Sequence, residues 1–403
     1  MAIRVVKFGG TSLATPEGRE AAAGAVAERA AAGLRLVAVV SAMGRAGEPY
    51  ATDTLLRLLD AHPQCPPRER DALASCGEAI SAALFAALLQ ARGLAAVSLR
   101  GFQAGIRTDD RHQQARILEI RPARIVEALD RGQVAVVAGF QGISPAGDIT
   151  TIGRGGSDTT AVALGIALGA DRVEIFTDVP GVLSADPQVV PGALPVPTLT
   201  FEEGAELAFK GAGVLHPRAA ELARRARLPV EVLSASAGSS GTRLVADQGV
   251  PIERDCGSCA AAVTAHRDIV QVSVADERLA RDLGLVESLF AGIAARGVTL
   301  DMMSIFPERV AFTLERRALA EARATLDDSG LAYSARERCA RVTLVGGGIH
   351  GVPGIMHRVV RALAGEGIRV LQSVDSNMII GVLVEDGEAE RAVRALHREF
   401  FSA

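Results

Sequence analysis

The chain has 403 residues, more than one hydrophobic core usually serves, so its length predicts two or three domains. Hydrophobic residues make up 49% and charged residues 22%, with no Trp and 2 Tyr, which is typical of a folded α/β protein and unfavourable for stacking on nucleic-acid bases. The formal net charge of -4 mixes both signs along the chain, so we expect no basic surface for nucleic acid or anionic lipid. Small molecules are therefore the expected partners.

The N-terminal sequence MAIRVVKFGGTS begins with a strand pattern and lacks the regions of a signal peptide, and no apolar run is expected to reach membrane-spanning length. We therefore expect a cytoplasmic location and no membrane partner. The 5 cysteines are too few and too scattered for a disulfide framework. Cys256 and Cys259 have metal or redox spacing, but a zinc site needs about four ligands and no second pair lies nearby. We interpret this pair as a chance match and predict no protein-bound metal site.

From residue 1 to about residue 240, continuous apolar runs alternate with helical patterns, which is typical of strands buried on both faces of a mainly parallel sheet. Thr15-Pro16 is a helix-start signal, a capping residue followed by proline at the first helical position, and this helix is predicted to extend to about Gly33. The predicted buried strands are Ile3 to Lys7, Leu36 to Val40, Val134 to Ala138, Val173 to Thr177 and Val230 to Leu233.

Between Ser234 and Cys259 the pattern breaks into a stretch rich in turn formers, and we place the domain boundary there. Beyond it, two segments repeat the order strand, helix, strand, strand, helix at a period of about 70 residues. Gly297 and Gly367 occupy equivalent helix-ending positions. Such paired βαββαβ (ferredoxin-like) units resemble tandem ACT domains, which bind amino acids at their interfaces, and two units that merely dimerise are the alternative. The predicted domains are 1–245, 262–337 and 338–403.

The first strand ends in Lys7-Phe8-Gly9-Gly10-Thr11-Ser12, and neither a GxxxxGK[ST] sequence nor a GxGxxG after that strand is present. Two glycines let the backbone approach an anion, and the N–H groups that follow them donate to phosphate oxygens. A lysine beside them offsets the charge that builds on a transferred phosphoryl group. The residues support a phosphate site here about as well as the alternative, a glycine pair that only makes a turn.

A second constellation begins with Gly139-Phe140-Gln141-Gly142 at a strand end and continues through DITTIGRGGSDTT, residues 148 to 160. We predict that Ser157 or Asp158 caps the helix that follows, which places Arg154 and two glycines at its positive end. Arg154 offers a bidentate fork to a carboxylate, while Asp158 can orient an amine or a metal. Simple capping by Asp158 and a surface ion pair of Arg154 are the alternatives.

Over nearly its whole length the chain resembles the aspartate kinase family. The matching motifs, in the family's order, are KFGGTS, SAMG, SCGEAISAAL, GFQAGI, AGFQGIS, TTIGRGGSDTTAVAL, FTDVPGVLSADP and VLHPRAAELA. The stretch SAMGRAGEPYATDTLLRLL and the C-terminal GVPGIM and LQSVDS are most similar to the diaminopimelate-sensitive enzymes of Gram-positive bacteria. The resemblance implies an amino acid kinase fold, a mainly parallel sheet between helices, followed by two ACT units. It also implies an ATP-dependent aspartate kinase, the first enzyme of lysine, threonine, methionine and diaminopimelate synthesis, inhibited by an end product.

The resemblance also implies roles for individual residues. Lys7, Arg154 and Asp158 are the implied catalytic residues. Arg154 would hold the α-carboxylate of aspartate and Glu78 its ammonium, although a carboxylate at a helix N-terminus is favourable without any ligand. The implied aspartate-binding set is Ser41, Thr52, Glu78, Arg154 and Ser157. The implied ATP-binding set is Lys7, Phe8, Gly9, Gly10, Ser12, Thr177, Asp178, Lys210 and Gly213. Mg²⁺ is implied with the ATP because two anions must meet.

Two basic residues of the family motifs are absent on the nucleotide side. Gln188 stands where the family usually has Arg, and Gly213 where it usually has Lys. Lys210 precedes that second position by three residues on nearly the same helical face, and we hypothesise that it takes over the phosphate contact. Thr200 and Glu203 form a predicted capping box for this helix, so favourable electrostatics at the helix C-terminus explain Lys210 equally well.

An effector amino acid is predicted in the regulatory half, near residues 285–288 and 300–305 and in the equivalent strand-end region of the second unit. The candidate contacts are Asp301, Gln372, Asp375 and Asn377, and for each of them an ordinary turn residue is the alternative. The sequence does not separate lysine, threonine and diaminopimelate as the effector. We expect a homodimer or higher homo-oligomer built through the regulatory units.

Two rival interpretations stay open. The missing basic residues are compatible with an amino-acid-sensing regulatory protein whose kinase site is weakened, and the fold is compatible with another amino acid kinase such as acetylglutamate kinase. The tandem ACT-like units and residues 153–158 argue against the second rival. Four retained residues argue against the first, namely Lys7, Glu78, Arg154 and Asp158.

Overall fold

The computed structural model of the chain describes residues 1–210, 215–234, 241–246, 260–349 and 352–401. The chain forms two compact units. The first comprises Met1–Val182, Pro195–Phe209 and Gly213–Ile252, and the second comprises Leu183–Leu194, Lys210–Ala212 and Glu253–Ala403. The Cys256 and Cys259 pair and Gly213 lie outside the described residues.

An eight-stranded sheet forms the centre of the first unit, in the order β10-β12-β11-β9-β1-β2-β6-β3. All neighbouring pairs are parallel except β11 and β12. The five predicted buried runs are its five central strands, from β11 to β6, so the predicted parallel α/β architecture is confirmed. The strands are β1 Ile3–Phe8, β2 Arg35–Val40, β3 Ala96–Leu99, β6 Val134–Ala138, β9 Arg172–Thr177, β10 Thr198–Thr200, β11 Val230–Ser234 and β12 Thr242–Val245.

A second sheet of this unit has four short strands in the order β5-β4-β7-β8. They are β4 Ile106–Thr108, β5 Ile117–Ile120, β7 Gln141–Ile143 and β8 Ile149–Thr151. The chain enters β7 directly after β6 of the large sheet and leaves β8 toward residues 152–155. This small sheet therefore positions the glycine-rich segment that the sequence analysis selected.

The helices of the first unit begin at chemically specific caps. Thr15 Oγ1 accepts a hydrogen bond from the Gly18 N–H at 3.1 Å and Pro16 is the first helical residue, as predicted. Thr200 and Glu203 exchange the reciprocal hydrogen bonds of a capping box, at 2.9 and 3.0 Å, which is also confirmed. The helices are α1 Gly10–Ala14, α2 Pro16–Ala31, α3 Thr52–Arg57, α4 Pro67–Ala74, α5 Cys76–Ala91, α6 Ala123–Asp130, α7 Gly156–Leu168, α8 Phe201–Lys210, whose last residue groups with the second unit, and α9 Pro217–Ala226.

One helical stretch, Pro67–Ala91, is long and apolar enough to cross a membrane by length and composition, so the expectation that no apolar run reaches that length was wrong. Half of its most apolar window, 50%, is buried inside the protein. It consists of α4 and α5, it contains the buried carboxylates Asp71 and Glu78, and α5 packs against the large sheet. A core helix passes the same test of length and composition, so this stretch is weak evidence for a membrane span.

The second unit has one six-stranded antiparallel sheet in the order β14-β15-β13-β16-β18-β17. Its chain order repeats strand, helix, strand, strand, helix, as predicted. Gly297 and Gly367 have φ of +71° and +69° after the corresponding helices, a conformation that favours glycine. The elements are β13 Ala262–Ala275, α10 Leu283–Ala295, β14 Asp301–Phe306, β15 Arg309–Glu315, α11 Leu319–Ser329, β16 Tyr333–Val345, α12 Ile355–Gly365, β17 Gln372–Asp375, β18 Ile379–Glu385 and α13 Ala389–Phe401.

The two halves of this sheet share their central strands. β13 and β16 are 14 and 13 residues long and pair along their length, with register shifts between His266 and Gln271. The C-terminal part of β13, residues 269–275, also pairs with β15. The C-terminal part of β16, residues 339–345, also pairs with β18. The domain boundary placed between residues 337 and 338 falls inside β16, and the boundaries stay a prediction.

Candidate active site

Several predicted site residues lie at the carboxyl edge of the large sheet. In register, Phe8 of β1 lies between Val40 of β2 and Phe176 of β9, and Val40 lies beside Ala138 of β6. The loops that follow these parallel strands therefore begin at the same edge of the sheet, which is where ligands bind in open α/β sheets. The segments that leave these four strands begin at Gly9, Ser41, Gly139 and Asp178.

Lys7 and Asp158 form an ion pair at this edge, with 2.6 Å between Lys7 Nζ and Asp158 Oδ1. Their side chains are 12% and 13% exposed, so the pair is largely shielded but still accessible. Lys7 is the next-to-last residue of β1, and Asp158 lies in the first turn of α7. The structure thus brings two of the three predicted catalytic residues together.

Steric constraints help to explain why two glycines follow β1, in addition to the predicted ligand role. A Cβ at Gly10 would lie 2.5 Å from the Ala42 carbonyl oxygen, so only glycine fits against the backbone that carries Ser41. At Gly9 a Cβ would lie 3.6 Å from Lys7 Nζ. Ser12 is buried in α1, and its hydroxyl has no hydrogen-bond partner among the described residues. Gly10 therefore has a structural reason, while a ligand role of Gly9 and Ser12 stays a prediction.

Phe8 differs from the other members of the predicted ATP-binding set. Its ring is fully buried and stacks on Phe176 with 4.9 Å between centroids, and it also packs on Phe85. The side chain is therefore part of the core under the site. Only the backbone of Phe8 is placed to take part in ligand binding.

Glu78 is a buried carboxylate with half of its hydrogen-bonding capacity unused. It is 3% exposed in the first turn of α5, and its Oε1 accepts from the Ala42 N–H at 3.2 Å. Its Oε2 has no hydrogen-bond partner among the described residues. Burial raises the pKa of Glu78 to about 8 against the effect of its backbone hydrogen bonds. A cation that reaches Oε2 would restore the charged form.

The start of α7 differs from the prediction that Ser157 or Asp158 caps it. The helix begins at Gly156, and its N-cap is Gly155 with φ of +65° and no side-chain hydrogen bond. That prediction was wrong because glycine adopts a left-handed conformation without steric cost, which moves the helix start back by two residues. Asp158 is freed from capping and pairs with Lys7, while Ser157 is buried against Gly139.

Arg154 directly precedes this cap and is exposed to solvent. Its guanidinium forms no ion pair within the part of the chain that the structure describes, so the alternative of a surface ion pair has no support there. The segment around it is conformationally demanding, with φ of +88° at Gly153 and +69° at Phe140. A cation beside the positive end of α7 is a favourable site for a carboxylate ligand.

Thr177 and Asp178 follow β9, next to the end of β1. Thr177 Oγ1 donates to Asp178 Oδ1 at 3.2 Å, and Asp178 Oδ2 lies 2.7 Å from Arg45 Nη2. Arg45 is mostly exposed, and the sequence analysis did not select it. Thr52 begins α3 on the same stretch of chain, beyond the loop whose Tyr50 carbonyl passes the start of α5.

Lys210 and Gln188 group with the second unit, apart from the other predicted nucleotide contacts. Lys210 ends α8, as predicted, and its Nζ lies 3.8 Å from Asp301 Oδ1. Its backbone carbonyl accepts from Thr264 Oγ1 at 3.1 Å. Gln188 is exposed after Asp186. These contacts show what Lys210 binds within the protein, and they do not test the hypothesis of a phosphate contact.

Two of the four predicted effector residues lie close together. Asp301 forms an ion pair with the buried Arg341, and the Gln372 amide donates to the Met302 carbonyl and accepts from Gln271 Nε2 at 3.0 Å. Both are therefore engaged with protein groups. The other two, Asp375 and Asn377, lie farther along the chain at the exposed end of β17.

The sequence analysis missed a group of buried polar contacts behind the Arg154 segment. Asp71 in α4 is 1% exposed and accepts hydrogen bonds from a distant loop, at His112 and Gln113, and from Thr151 at the end of β8. Arg218 in α9 donates to the Ile152 carbonyl, and the ring of His216 packs against Gly155. Burial lowers the pKa of His216. The Asp158 carboxylate acts in the opposite direction, and the Arg218 guanidinium adds a smaller lowering effect. A carboxylate inside a helix just before SCGE is the one sequence signal that points to this group.

Among the described residues, no three His, Cys, Asp or Glu side chains converge as a metal cage. Two carboxylates near the site already have cationic partners, Asp158 on Lys7 and Asp178 on Arg45. Mg²⁺ is commonly held by substrate phosphates with one or two protein carboxylates. These residues fit a magnesium ion that arrives with its nucleotide.

Comparison with known proteins identifies relatives over the whole chain. The amino acid kinase family profile matches residues 2–234, and an ACT domain profile matches residues 342–400. Aspartokinase 1 of Bacillus subtilis is 42% identical over 402 residues, covering 99% of this chain and 99% of that protein. The structure of Escherichia coli aspartokinase III in complex with aspartate and ADP has a TM-score of 0.82 at 27% identity, covering 99% of this chain and 100% of that chain. The same enzyme in complex with lysine and aspartate has a TM-score of 0.73 at 27% identity, covering the same shares, 99% and 100%.

Proposed function

The chain belongs to the aspartokinase family, and from that premise we propose how its own residues transfer the γ-phosphoryl group of ATP to the side-chain carboxylate of L-aspartate. The products are 4-phospho-L-aspartate and ADP. The observation that carries the proposal is the Lys7–Asp158 pair at the carboxyl edge of the sheet. Among the described residues, Arg154 forms no ion pair and Glu78 Oε2 has no hydrogen-bond partner. The structure of the E. coli relative contains aspartate and ADP, which supports aspartate and ATP as the substrates of this chain.

Aspartate is held by its two ends in this proposal. The α-carboxylate binds the Arg154 guanidinium in front of the α7 N-terminus, where both the side chain and the helix end favour an anion. The ammonium binds Glu78 Oε2, the free oxygen of a buried carboxylate. Ser41, Thr52 and Ser157 complete the pocket. The β-carboxylate is then the end of the substrate that is left to react.

The reaction needs charge stabilisation more than acid–base chemistry. An oxygen of the β-carboxylate attacks the γ-phosphorus, the bond from that phosphorus to the β–γ bridging oxygen breaks, and ADP leaves with the electron pair. The carboxylate carries no proton to remove, so no general base is required. Lys7 compensates the charge on the phosphoryl oxygens, and Asp158 holds the Lys7 ammonium in place. Mg²⁺, bound through the nucleotide, supplies further charge neutralisation.

ATP occupies the β1 and β9 side of the edge in this proposal. The backbone at Phe8, Gly9 and Gly10 faces the phosphates, together with the Ser12 hydroxyl, which has no hydrogen-bond partner in the described part of the chain. Thr177 and Asp178, at the end of β9, contact the nucleotide. Two alternatives stand for Lys210, a phosphate contact that replaces the residue lost at Gly213 and an electrostatic role at the end of α8. Lys210 also lies near Asp301, and this contact does not decide between the two alternatives.

Regulation by an amino acid is part of the proposed function. The ACT profile and the lysine-bound E. coli relative support an amino-acid effector, and the assay below distinguishes diaminopimelate, lysine and threonine. Asp301, Gln372, Asp375 and Asn377 are the proposed contacts. A homodimer through the second unit is supported by the edge strand β14, on which Met303, Ile305 and Phe306 are 54%, 53% and 45% exposed. We expect the enzyme in the cytoplasm with other biosynthetic enzymes.

A steady-state assay tests the proposal. Purified protein is given Mg-ATP and L-aspartate, and ADP release and hydroxylamine-trapped aspartyl hydroxamate are measured, with diaminopimelate, lysine or threonine added in turn. We expect aspartate-dependent turnover, and the amino acid that inhibits it identifies the effector. Absence of turnover together with intact effector binding would instead establish the sensor interpretation that Gln188 and Gly213 motivate.

A further inference from the structure

Asp71 is a buried carboxylate that the proposed mechanism does not use. It lies in the last turn of α4, is 1% exposed, and accepts hydrogen bonds at both oxygens. Oδ1 accepts from Thr151 Oγ1 at 2.6 Å, and Oδ2 accepts from the Thr151 N–H at 3.0 Å and from His112 Nδ1 at 2.8 Å. The Gln113 N–H donates to both oxygens, at 3.1 and 3.0 Å. A buried carboxylate satisfied by several donors holds those donors in one arrangement.

These donors belong to the segment that carries Arg154. Thr151 ends β8 and stands three residues before Arg154. Gln113 has φ of +69°, and its carbonyl oxygen would lie 3.0 Å from a Cβ at Gly153. Asp71 therefore fixes both the strand that leads into the segment and the loop that packs against it.

Arg218 holds the next residue of the same segment. Its Nη1 donates to the Ile152 carbonyl at 2.6 Å and its Nη2 to the Ala115 carbonyl at 3.1 Å. One guanidinium therefore links the segment after β8 to the loop that contains Ala115. The Ile152 N–H donates to the Phe140 carbonyl at 2.8 Å, and the Gly156 N–H donates to the Gly153 carbonyl at 2.9 Å. The backbone on both sides of Arg154 is thus fixed, while the Arg154 side chain itself is exposed.

We propose that Asp71, assisted by Arg218, is a positioning residue that fixes residues 151–155 so that Arg154 meets the α-carboxylate of the substrate. The proposal rests on the proposed role of Arg154 in aspartate binding. Asp71 touches neither substrate, so its effect reaches the reaction only through the backbone of this segment. Loss of the arrangement should then weaken aspartate binding specifically and leave the nucleotide side unchanged.

The test variant is Asp71→Asn, which keeps the shape of the side chain but turns one acceptor into a donor that faces donors. We expect the aspartate KM to rise on the order of tenfold or more, since small misplacements of binding groups have large effects. The ATP KM should stay within about twofold because the nucleotide contacts lie on other strands. Hydrogen exchange of the amides of residues 151–156, measured without substrates, should become faster.

Glu174→Gln is the matched control, because Glu174 is an equally buried carboxylate of the same unit that binds Arg4 and Arg29 instead. It should change neither the aspartate KM nor exchange at residues 151–156. If Asp71→Asn does not fold, Thr151→Val removes one donor and should show a smaller change of the same kind, with Thr151→Ser restoring the wild-type values.

A folded Asp71→Asn variant with the wild-type aspartate KM and wild-type exchange would overturn the proposal. Equal increases in both KM values would also overturn it, since they would indicate general destabilisation. If the wild-type protein does not phosphorylate aspartate, the proposed function fails, whereas the exchange experiment still decides whether Asp71 fixes the segment.

Discussion

The Lys7 ammonium lies 2.6 Å from the Asp158 carboxylate, which joins the end of β1 to the first turn of α7. Lysine is rare in this protein: Lys7 and Lys210 are the only lysines among its 43 lysine and arginine residues. A compact ammonium and a planar guanidinium are not interchangeable at a phosphoryl group. The retention of lysine at position 7 therefore fits a site that requires a point charge.

Replacing this charge should abolish most of the turnover. Lys7→Met should lower kcat on the order of a hundredfold or more, because the group that offsets developing charge is lost. Lys7→Arg should restore only a small part of kcat, since the fork does not reproduce the position of the ammonium. The measurement is kcat from ADP release at saturating substrates.

Arg4→Met controls for the loss of a cation from the same strand. Arg4 also lies in β1 and is paired, with Asp171 and Glu174, toward the beginning of the strand. This variant should lower thermal stability while kcat stays near the wild-type value. A Lys7→Met enzyme that keeps wild-type kcat would contradict the assigned role.

The aspartate dependence should report the ionisation of Glu78, whose pKa is raised to about 8 by burial. The substrate ammonium requires the ionised carboxylate, so binding below that pKa must release a proton. We expect kcat/KM for aspartate to rise with pH, by up to about tenfold per unit, and to level off above about pH 8. Glu78→Gln should show a low kcat/KM without this rise, measured across the same buffers.

Folding stability should depend on Glu78 with the opposite slope. Its folded-state pKa lies above that of the unfolded chain, so the folded state holds the proton more tightly. The resulting stabilisation is complete below the unfolded pKa and is lost as the pH rises through about 8. Between the unfolded pKa and about pH 8, the urea midpoint of the wild type should fall more than that of Glu78→Gln. An equal fall in both proteins would show that other groups dominate.

Lys210 should affect regulation more than nucleotide binding, because its ammonium faces Asp301 of the second unit at 3.8 Å. Lys210→Ala should leave the ATP KM within about twofold and shift the effector concentration for half inhibition by about two- to fivefold, the scale of a partly exposed ion pair. Lys210→Arg keeps a positive charge and should shift it less. A tenfold increase in the ATP KM would instead support the phosphate contact hypothesised from the sequence.

The N-cap at Thr15 gives a prediction about stability alone. Thr15→Ala removes the hydrogen bond from the Gly18 N–H and should destabilise the first unit by about 1 kcal/mol. Thr15→Ser keeps the acceptor and should cost much less. Denaturant midpoints of the two variants check this difference, and equal midpoints would show that the cap is energetically unimportant.

Features encoded by neighbouring residues were predictable from the sequence. The apolar runs identified the five central strands because strands buried on both faces need uninterrupted apolar residues. The caps at Thr15 and Thr200 followed from local side-chain chemistry, and the glycines at 297 and 367 from their helix-ending positions. The Lys7 and Arg154 motifs were identified in the same way.

Features that depend on contacts between distant residues were not predictable. Asp71 and Thr151 meet only after the chain has folded, and an acidic residue in a short helix is ordinarily interpreted as exposed. The shared strands β13 and β16 arise from pairing across the repeat, which a period of similar segments does not reveal. The start of α7 was misplaced because the left-handed φ of Gly155 depends on the surrounding packing, including the ring of His216.

The most direct test of the account compares substrates that lack one recognised group. Succinate lacks the ammonium and β-alanine lacks the α-carboxylate, while both keep the carboxylate that is phosphorylated. The measurement is kcat/KM for aspartate, succinate and β-alanine with the wild type, Arg154→Ala and Glu78→Gln. We predict that Arg154→Ala impairs aspartate and succinate but not β-alanine, and that Glu78→Gln impairs aspartate and β-alanine but not succinate. Equal losses for all three substrates in each variant would contradict the assignment of these two residues to the two ends of aspartate.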